Sequence, residues 1–357
     1  MKKAIEVEYW VVDRDGELTA PDGLTDVSEH TEGEFVEPLF EVKTPPCDSY
    51  AELRTIFLDQ LEDVLAIADE LDKLLVPLGT PIHGESILQR SDERTRIQNE
   101  VLGTNFDYTK YCAGTHVHFD KRNVADQLNV LIALDPALAL LSSSPYFQGR
   151  RIATDARAYL YRKKGYENYP KHGQLWDYVE TVAEWETRLE HRFEEFTEAA
   201  IEAGVDEESV EEHFSPDDVV WTPIRLRDAM PTVEWRSPDA SLPSQVLRLV
   251  EEIDSVMEHL HDTTVRIEGD VGEVRDDGIT LPEFEATCEY AEAAILEGLE
   301  SADVAGYLER MGFDVSGYDP ITREIDGRDE LSPADAREIR RRYGVRLRED
   351  VETLLQE

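Results

Sequence analysis

Four short stretches alternate apolar and ionisable residues with a period of two. They are Ile5-Glu6-Val7-Glu8-Tyr9, Leu39-Phe40-Glu41-Val42-Lys43, Gly114-Thr115-His116-Val117-His118-Phe119 and Thr232-Val233-Glu234-Trp235-Arg236. In a strand, side chains two apart share a face. The pattern predicts four strands that send Val7, Phe40, Val42, Val117, Phe119, Val233 and Trp235 into a core. Glu6, Glu8, Glu41, Lys43, His116, His118, Glu234 and Arg236 are expected on the opposite face. One strand of this kind is an ordinary solvated face. Four of them, rich in carboxylate and imidazole, predict a sheet with an apolar back and a charged, metal-binding front.

Between these strands the apolar period shifts towards that of a helix. Ser49-Tyr50-Ala51-Glu52 reads as a capping box. It opens a helix to about Leu75 with Leu53, Phe57, Leu61, Val64, Leu65 and Leu71 on its stripe. Residues 76–82 read as a short buried strand, and residues 86–110 as a polar, irregular segment with Arg90, Arg94 and Arg96 close together. An apolar helix is predicted over 124–141, a loop at Ser142-Ser143-Ser144-Pro145, a long amphipathic helix over 174–203 and an acidic connector over 204–218. Residues 224–227 and 232–236 flank Asp228-Ala229-Met230-Pro231 as a hairpin, with Arg225 and Arg227 on one face. Residues 243–267 read as helical and 269–282 as a Gly- and Asp-rich break. Two or three helices complete the chain, one opened by Ser332-Pro333-Ala334-Asp335. Strands and helices mix without regular βαβ alternation, which predicts an α+β fold with an antiparallel sheet.

Charge changes this picture. The 357 residues include 79 acidic and 36 basic ones, a net charge of −43. The acid is spread along the whole chain and lysine is scarce. Phosphate polyanions and acidic membranes would be repelled, so no nucleic-acid or membrane partner is expected. The pattern reads as adaptation to a very salty cytoplasm, where screening shortens self-repulsion to a few ångström. No apolar run is long enough for a transmembrane helix. Met1-Lys2-Lys3 leads directly into a charged strand, so no signal peptide and a cytoplasmic location are expected. Cys47, Cys112 and Cys288 fit no disulfide framework and are expected to be reduced thiols.

Glu6, Glu8, Glu41 and Glu234 cannot gather on one face without cations. At ~4 Å two like charges repel by roughly 4 kcal/mol at an effective dielectric of about 20. Arg236 and Lys43 offset part of this, and Mg²⁺ or Mn²⁺ would offset more, because hard ions prefer carboxylate oxygen. Divalent ions beside basic residues form a seat for a nucleotide polyphosphate. Cys112, four residues before His116, makes a zinc site conceivable, but no further cysteine pair supports it. Arg90, Arg94 and Arg96 read as ordinary surface charge in a loop, although they stand out in a chain where acid outnumbers base by more than two to one. The chain has no GxxxxGK[ST], GxGxxG or GxSxG motif, which excludes a P-loop and disfavours a serine hydrolase.

Five motifs in order, Ile5-Glu6-Val7-Glu8, Glu41-Val42-Lys43-Thr44, Cys112-Ala113-Gly114-Thr115-His116-Val117-His118, Ser142-Ser143-Ser144-Pro145 and Thr232-Val233-Glu234-Trp235-Arg236, resemble the glutamate–cysteine ligase family. The resemblance is to the branch with bacterial carboxylate–amine ligases, and the composition looks like that of an archaeal, halophilic member. It spans roughly residues 1–260. It implies a glutamine-synthetase-like, ATP-grasping catalytic domain over residues 1–268, whose antiparallel sheet forms a metal-lined funnel. A C-terminal helical extension over 269–357 would pack on the same unit or form an oligomer contact. The implied reaction uses ATP, with Mg²⁺ or Mn²⁺, to join L-glutamate through γ-glutamyl phosphate to L-cysteine. By position the resemblance makes Glu6, Glu8, Glu41, His116 and Glu234 metal ligands. Glu234 and Arg236 become the catalytic pair, and Lys43, Arg225 and Arg227 candidates for holding the nucleotide. His118 is a further candidate for the pocket lining. The family's glycine two residues before Glu6 is Ala4 here. The acceptor pocket is not visible in these motifs. A ligase for another amine, and a non-catalytic metal- or nucleotide-binding protein, remain the alternatives.

Overall fold

Residues rich in Val, Ile, Tyr and Trp give β1 (Lys3–Asp13), the axis of the computed structural model, which describes residues 1–84, 87–89, 92–227 and 231–357. β2 (Thr31–Gly33), β3 (Leu39–Lys43), β4 (Lys73–Val76) and β5 (Thr115–Asp120) follow. β6 (Tyr146–Phe147) and β7 (Arg150–Arg151) make a small separate hairpin, and β8 (Ile224–Arg227) and β9 (Thr232–Trp235) return to the main sheet. Among the described residues that sheet has seven strands in the order β2-β3-β1-β5-β9-β8, with β4 pairing the far end of β1. All of its pairings are antiparallel.

Register decides which side chains meet. Glu6 lies opposite both Lys43 and His116, Glu8 opposite Glu41, His118 opposite Glu234, and Glu234 opposite Arg225. The predicted faces therefore hold. Val7, Phe40, Val42, Val117, Phe119, Val233 and Trp235 are all fully buried behind the sheet. Helices Tyr50–Glu70, Val124–Leu134, Pro243–Asp262 and Pro333–Leu354 cover that side, with Leu53, Phe57, Leu61 and Val64 of the first turned inward.

Several boundaries differ from the sequence pattern. The first helix stops at Glu70, and the strand after it is Lys73–Val76 rather than 76–82. Its box is only half formed: Ser49 accepts from the Glu52 amide at 3.2 Å, while Glu52 accepts from Asp48 instead of Ser49. Ser332 and Asp335 close the full reciprocal box. The segment 86–110 is not irregular where it is described. It contains helix Glu93–Leu102, capped by Asp92 and buried through Ile97, Val101 and Leu102, and a 3₁₀ stretch to Tyr111. The 124–141 helix ends at Leu134, because Pro136 cannot continue the hydrogen-bond ladder. The helix placed at 174–203 begins only at Val182, and the acidic connector holds a further helix, Glu207–His213. Helix Pro243–Asp262 gives way to β10 (Thr264–Ile267), which pairs with β12 (Gly278–Leu281), itself beside β11 (Glu273–Arg275), so the supposed break at 269–282 is part of a three-stranded sheet. Arg90 and the turn residues Asp228, Ala229 and Met230 lie outside the described residues. No helix among the described residues is long and apolar enough to cross a membrane.

Candidate functional site

The charged face of β1, β3, β5, β8 and β9 floors an open groove of about 680 Å³. Glu6, Glu8, Glu41, Lys43, His116, Glu234, Arg225, Arg227 and Arg236 all line it, so the fold brings together every residue singled out from the sequence for metal, nucleotide or catalysis. His118 lies under the same floor. Among the described residues three groups place ligand atoms within 4.8 Å of one another: Glu6, Glu41 and His116; Glu6, His118 and Glu234; and Glu8, Glu34 and Glu41.

Glu234 is the most constrained of them. It is fully buried, and neither carboxylate oxygen accepts a hydrogen bond. Its charged neighbours stand back: His116 Nδ1 at 3.7 Å, Arg227 at 3.7 Å and Arg236 at 3.8 Å. Burial would push this carboxyl up, but Arg236 first and then His118 and Arg225 hold it down at about 2, so it is ionised. His116 Nδ1 meets Glu6 at 3.1 Å and His118 Nδ1 meets Thr232 Oγ1 at 3.2 Å, while His116 Nε2 is buried without a hydrogen-bond partner and His118 Nε2 lies 3.5 Å from Glu6. Burial, reinforced by Arg236, pulls His116 down to about 4, so it is neutral at pH 7 and donates Nδ1–H to Glu6. Burial opposes ionisation of Glu6 too, but bonds from His116 and His118 outweigh it and carry its pKa below the carboxylate range.

The other side of the groove has too much negative charge. Burial and Glu34 push Glu8 up to about 8. Burial, Glu34 and Glu6 push Glu41 well above its ordinary value, although Lys43 Nζ lies 2.8 Å away and is shared with Glu32. A buried, ionised carboxylate without a hydrogen bond, the partnerless His116 Nε2 and a set of mutually repelling carboxylates are the donor set of a hard divalent cation. The residues present fit Mg²⁺ or Mn²⁺.

The scaffold behind the floor explains its rigidity. Trp235 Nε1 donates to buried Asp135 at 3.2 Å, and Arg162 binds the same carboxylate at 2.6 and 2.9 Å and Ser237 Oγ at 2.8 Å. β9 and the residue after it, which present Glu234 and Arg236, are thus tied down on their back. The serine loop forms a second buried clamp: Ser143 accepts from the Gly79 amide at 2.6 Å and donates to Asp239 at 3.0 Å. It does not line the groove.

A narrower cavity of about 270 Å³ opens beside the groove and shares Glu8, Glu34, Arg94, His116 and Arg236 with it. Phe106, Tyr166 and Trp221 wall it, with Tyr166 stacked on Trp221 at 5.4 Å. Arg94 sits at this junction and pairs with Asp218 at 2.9 Å. Arg96 is surface charge, as the sequence allowed: it points to solvent and pairs with Glu93 and Glu100. Cys112 lines the side cavity and belongs to none of the three ligand groups, and burial pushes its thiol far up, so the zinc reading finds no support. Sequence reasoning missed Glu34, Arg157 and the aromatic wall. Glu34 lies just beyond the three-residue β2, too short to show a period, and the others come from segments distant along the chain.

The family model of glutamate-cysteine ligase family 2 matches residues 5–290. Comparison with the curated proteins returns no match. Among solved structures, a bifunctional glutathione synthetase from Pasteurella multocida is similar at a TM-score of 0.61 and 16% identity, over 97% of this chain and 52% of that one. The chain thus spans about half the length of that protein. A glutamate–cysteine ligase from Francisella tularensis, solved in complex with AMP, is similar at a TM-score of 0.50 and 13% identity, over 99% of this chain and 91% of the other.

Proposed function

Because the chain belongs to glutamate-cysteine ligase family 2, we propose that it joins the γ-carboxylate of L-glutamate to the amino group of L-cysteine at the expense of ATP. The observation that supports this most is Glu234, a fully buried carboxylate with no hydrogen bond to either oxygen, facing His116, His118 and Glu6. Glu6, Glu8, Glu41, His116 and Glu234 would hold Mg²⁺ or Mn²⁺, which would supply positive charge against the phosphates and so lower the repulsion met by an attacking carboxylate. Lys43, Arg225 and Arg227 line the groove where the phosphates of ATP would lie. Arg236, between the groove and the side cavity, faces the charge that develops on the transferred phosphoryl group or on glutamate.

In this reaction the γ-carboxylate oxygen attacks the γ-phosphorus and ADP leaves with the bridging oxygen. The amine then attacks the acyl carbon, phosphate leaves, and the nitrogen loses its proton. The Francisella enzyme, which holds AMP, supports a nucleotide in the groove by analogy of fold. Residues 1–268 would form the catalytic unit and 269–357 an extension that opens with β11 and β12, the latter paired to β10, and continues as helices, working in a salt-rich cytoplasm.

The direct test is phosphate release in molar KCl with Mg-ATP and glutamate, with and without cysteine, against a panel of other amines. Cysteine-dependent release with γ-glutamylcysteine as product is expected. Release with a different amine would change the acceptor, and no release from folded protein would overturn the ligase reading. In the same assay Arg236→Ala should raise the KM for glutamate or lower kcat by about a hundredfold or more. Unchanged kinetics would make that arginine structural.

Metal binding should also depend on pH. Between the ordinary carboxyl value of 4.5 and about 8, the metal-free fold keeps a proton on Glu8 that the unfolded chain has released. That contribution stabilises the metal-free chain at the acid end and is lost as pH rises towards 8. A metal needs the carboxylate, so Mn²⁺ affinity, read by electron paramagnetic resonance, should strengthen as pH rises from 6 to about 8. A flat profile would remove Glu8 from the ligand set.

A further inference from the structure

Among the described residues Arg157 is a buried cation without a paired anion; only the Tyr161 ring, its centroid 5.9 Å away, faces the guanidinium from among the aromatic side chains. Its side chain is 5% exposed. One N–H goes to the Ser237 carbonyl at 2.9 Å and one to the Arg236 carbonyl at 3.2 Å. A guanidinium has five such donors, so three remain, and Nε is buried without a partner. No carboxylate of the described residues lies within ion-pair distance of it. Asp155 and Asp239 act from behind but are engaged elsewhere, Asp155 by the Ala158 amide and Asp239 by Ser143. Glu8, in front, accepts from the Gly114 amide at 2.6 Å. The chain makes room for this group: a Cβ at Gly114 would stand 2.0 Å from the Arg157 Nη2. A buried charge held this way costs stability unless something meets it.

What could meet it is set by the cavity it lines. That space holds about 270 Å³ and has aromatic walls. The polyphosphate has its own place over the carboxylate floor of the groove. An arginine fork matches a carboxylate at two points. The side cavity also joins the groove at Glu8, His116 and Arg236, so an amine seated there would reach the acyl carbon from outside the space that ATP fills.

We propose that Arg157 reads the α-carboxylate of the amine substrate, which makes the side cavity a seat for an amino acid with a small side chain rather than for a simple amine. This rests on the ligase reading above. Arg157 is then a specificity residue of the acceptor and not of the glutamate donor, whose own α-carboxylate is the competing source of the same chemistry.

Steady-state kinetics with cysteine and with cysteamine, which lacks the carboxylate, separate these. The wild-type chain should prefer cysteine. Arg157→Gln should raise the KM for cysteine about ten- to hundredfold and leave the KM for glutamate and turnover of cysteamine within about twofold. Should Arg157→Gln fail to fold, Arg157→Lys, which keeps the charge and loses the fork, should show the same selective rise at smaller size. Equal effects on both acceptors, or no preference in the wild type, would overturn the inference while the ligase reading stands. A rise in the KM for glutamate instead would also overturn it and assign Arg157 to the donor. If no amine supports turnover, calorimetric binding of cysteine against cysteamine decides: carboxylate-dependent binding lost in Arg157→Gln sustains the seat without the reaction, and its absence removes both.

Discussion

Glu234→Gln is expected to lower turnover by at least about a thousandfold while the chain stays folded. The substitution keeps shape and volume and removes one negative charge. In the metal-free chain, against burial, Arg236 and then His118 and Arg225 hold its pKa down at about 2, and Arg227 stands 3.7 Å away, so its loss leaves these arginines without that carboxylate. The thermal midpoint of the metal-free variant should therefore fall. Glu41→Gln makes the opposite prediction for stability. Glu41 is pressed by Glu34, Glu6 and Glu8, and only Lys43 offsets them. Removing its charge should raise the midpoint of the metal-free chain while weakening Mn²⁺ binding. Two substitutions of the same kind, on strands of one sheet separated by β1 and β5, thus shift stability in opposite directions and impair metal binding together. Thermal melts in chelator with Mn²⁺ titration would check both. A Glu234→Gln enzyme with wild-type turnover would remove that residue from the site, and parallel stability changes would show that the groove is not divided in this way.

That division was partly legible in the sequence. Period-two alternation placed Glu6, Glu41, His116 and Glu234 on one face because a strand's side chains must alternate, and the charged residues in those strands have no other place to go. The same rule could not say that Glu234 would be sealed from water with no hydrogen bond while Glu41 leans on Lys43. That depends on which strands are neighbours, and strand order comes from long-range pairing. Helix Glu93–Leu102 was missed because its apolar residues are few among charged ones, and only the Asp92 cap marks it. β10 was absorbed into the preceding helix because it is four residues long and mostly exposed, so burial left no alternation to read. Arg157 lies in a run of Arg, Tyr and Lys that looks like ordinary helix surface. Its meaning arises only where Gly114, far along the chain, leaves a gap for its guanidinium. Local rules found the floor of the site, and the walls required the fold.

Raising KCl from about 0.1 M to molar concentration should raise the thermal midpoint by on the order of 5 °C, roughly 4 kcal/mol for a chain of this size. The net charge of −43 sets the sign of the effect, and helix Val182–Glu202 shows where it acts. Glu186, Glu190, Glu194, Glu198 and Glu202 recur every fourth residue, and all are exposed. Like charges at this spacing are neighbours roughly 5–6 Å apart and destabilise a helix by about 0.2–0.5 kcal/mol per pair. The Debye length is about 10 Å at 0.1 M and about 3 Å at 1 M, so this spacing falls inside the first and outside the second. Salt therefore removes the repulsion within the ladder without reaching the closer ion pairs buried behind the groove, such as Arg162 with Asp135. The helix stays attached through Trp185, Leu189 and Phe196, which are buried on its other face. Its amides should accordingly exchange hydrogen faster than those of β1 and β5 when salt is withdrawn, and before activity is lost. Full activity in salt-free buffer, or a midpoint indifferent to KCl, would mean that the acidic surface has some purpose other than folding in brine. Uniform acceleration of exchange across the chain would place the repulsion in the whole molecule rather than in this ladder.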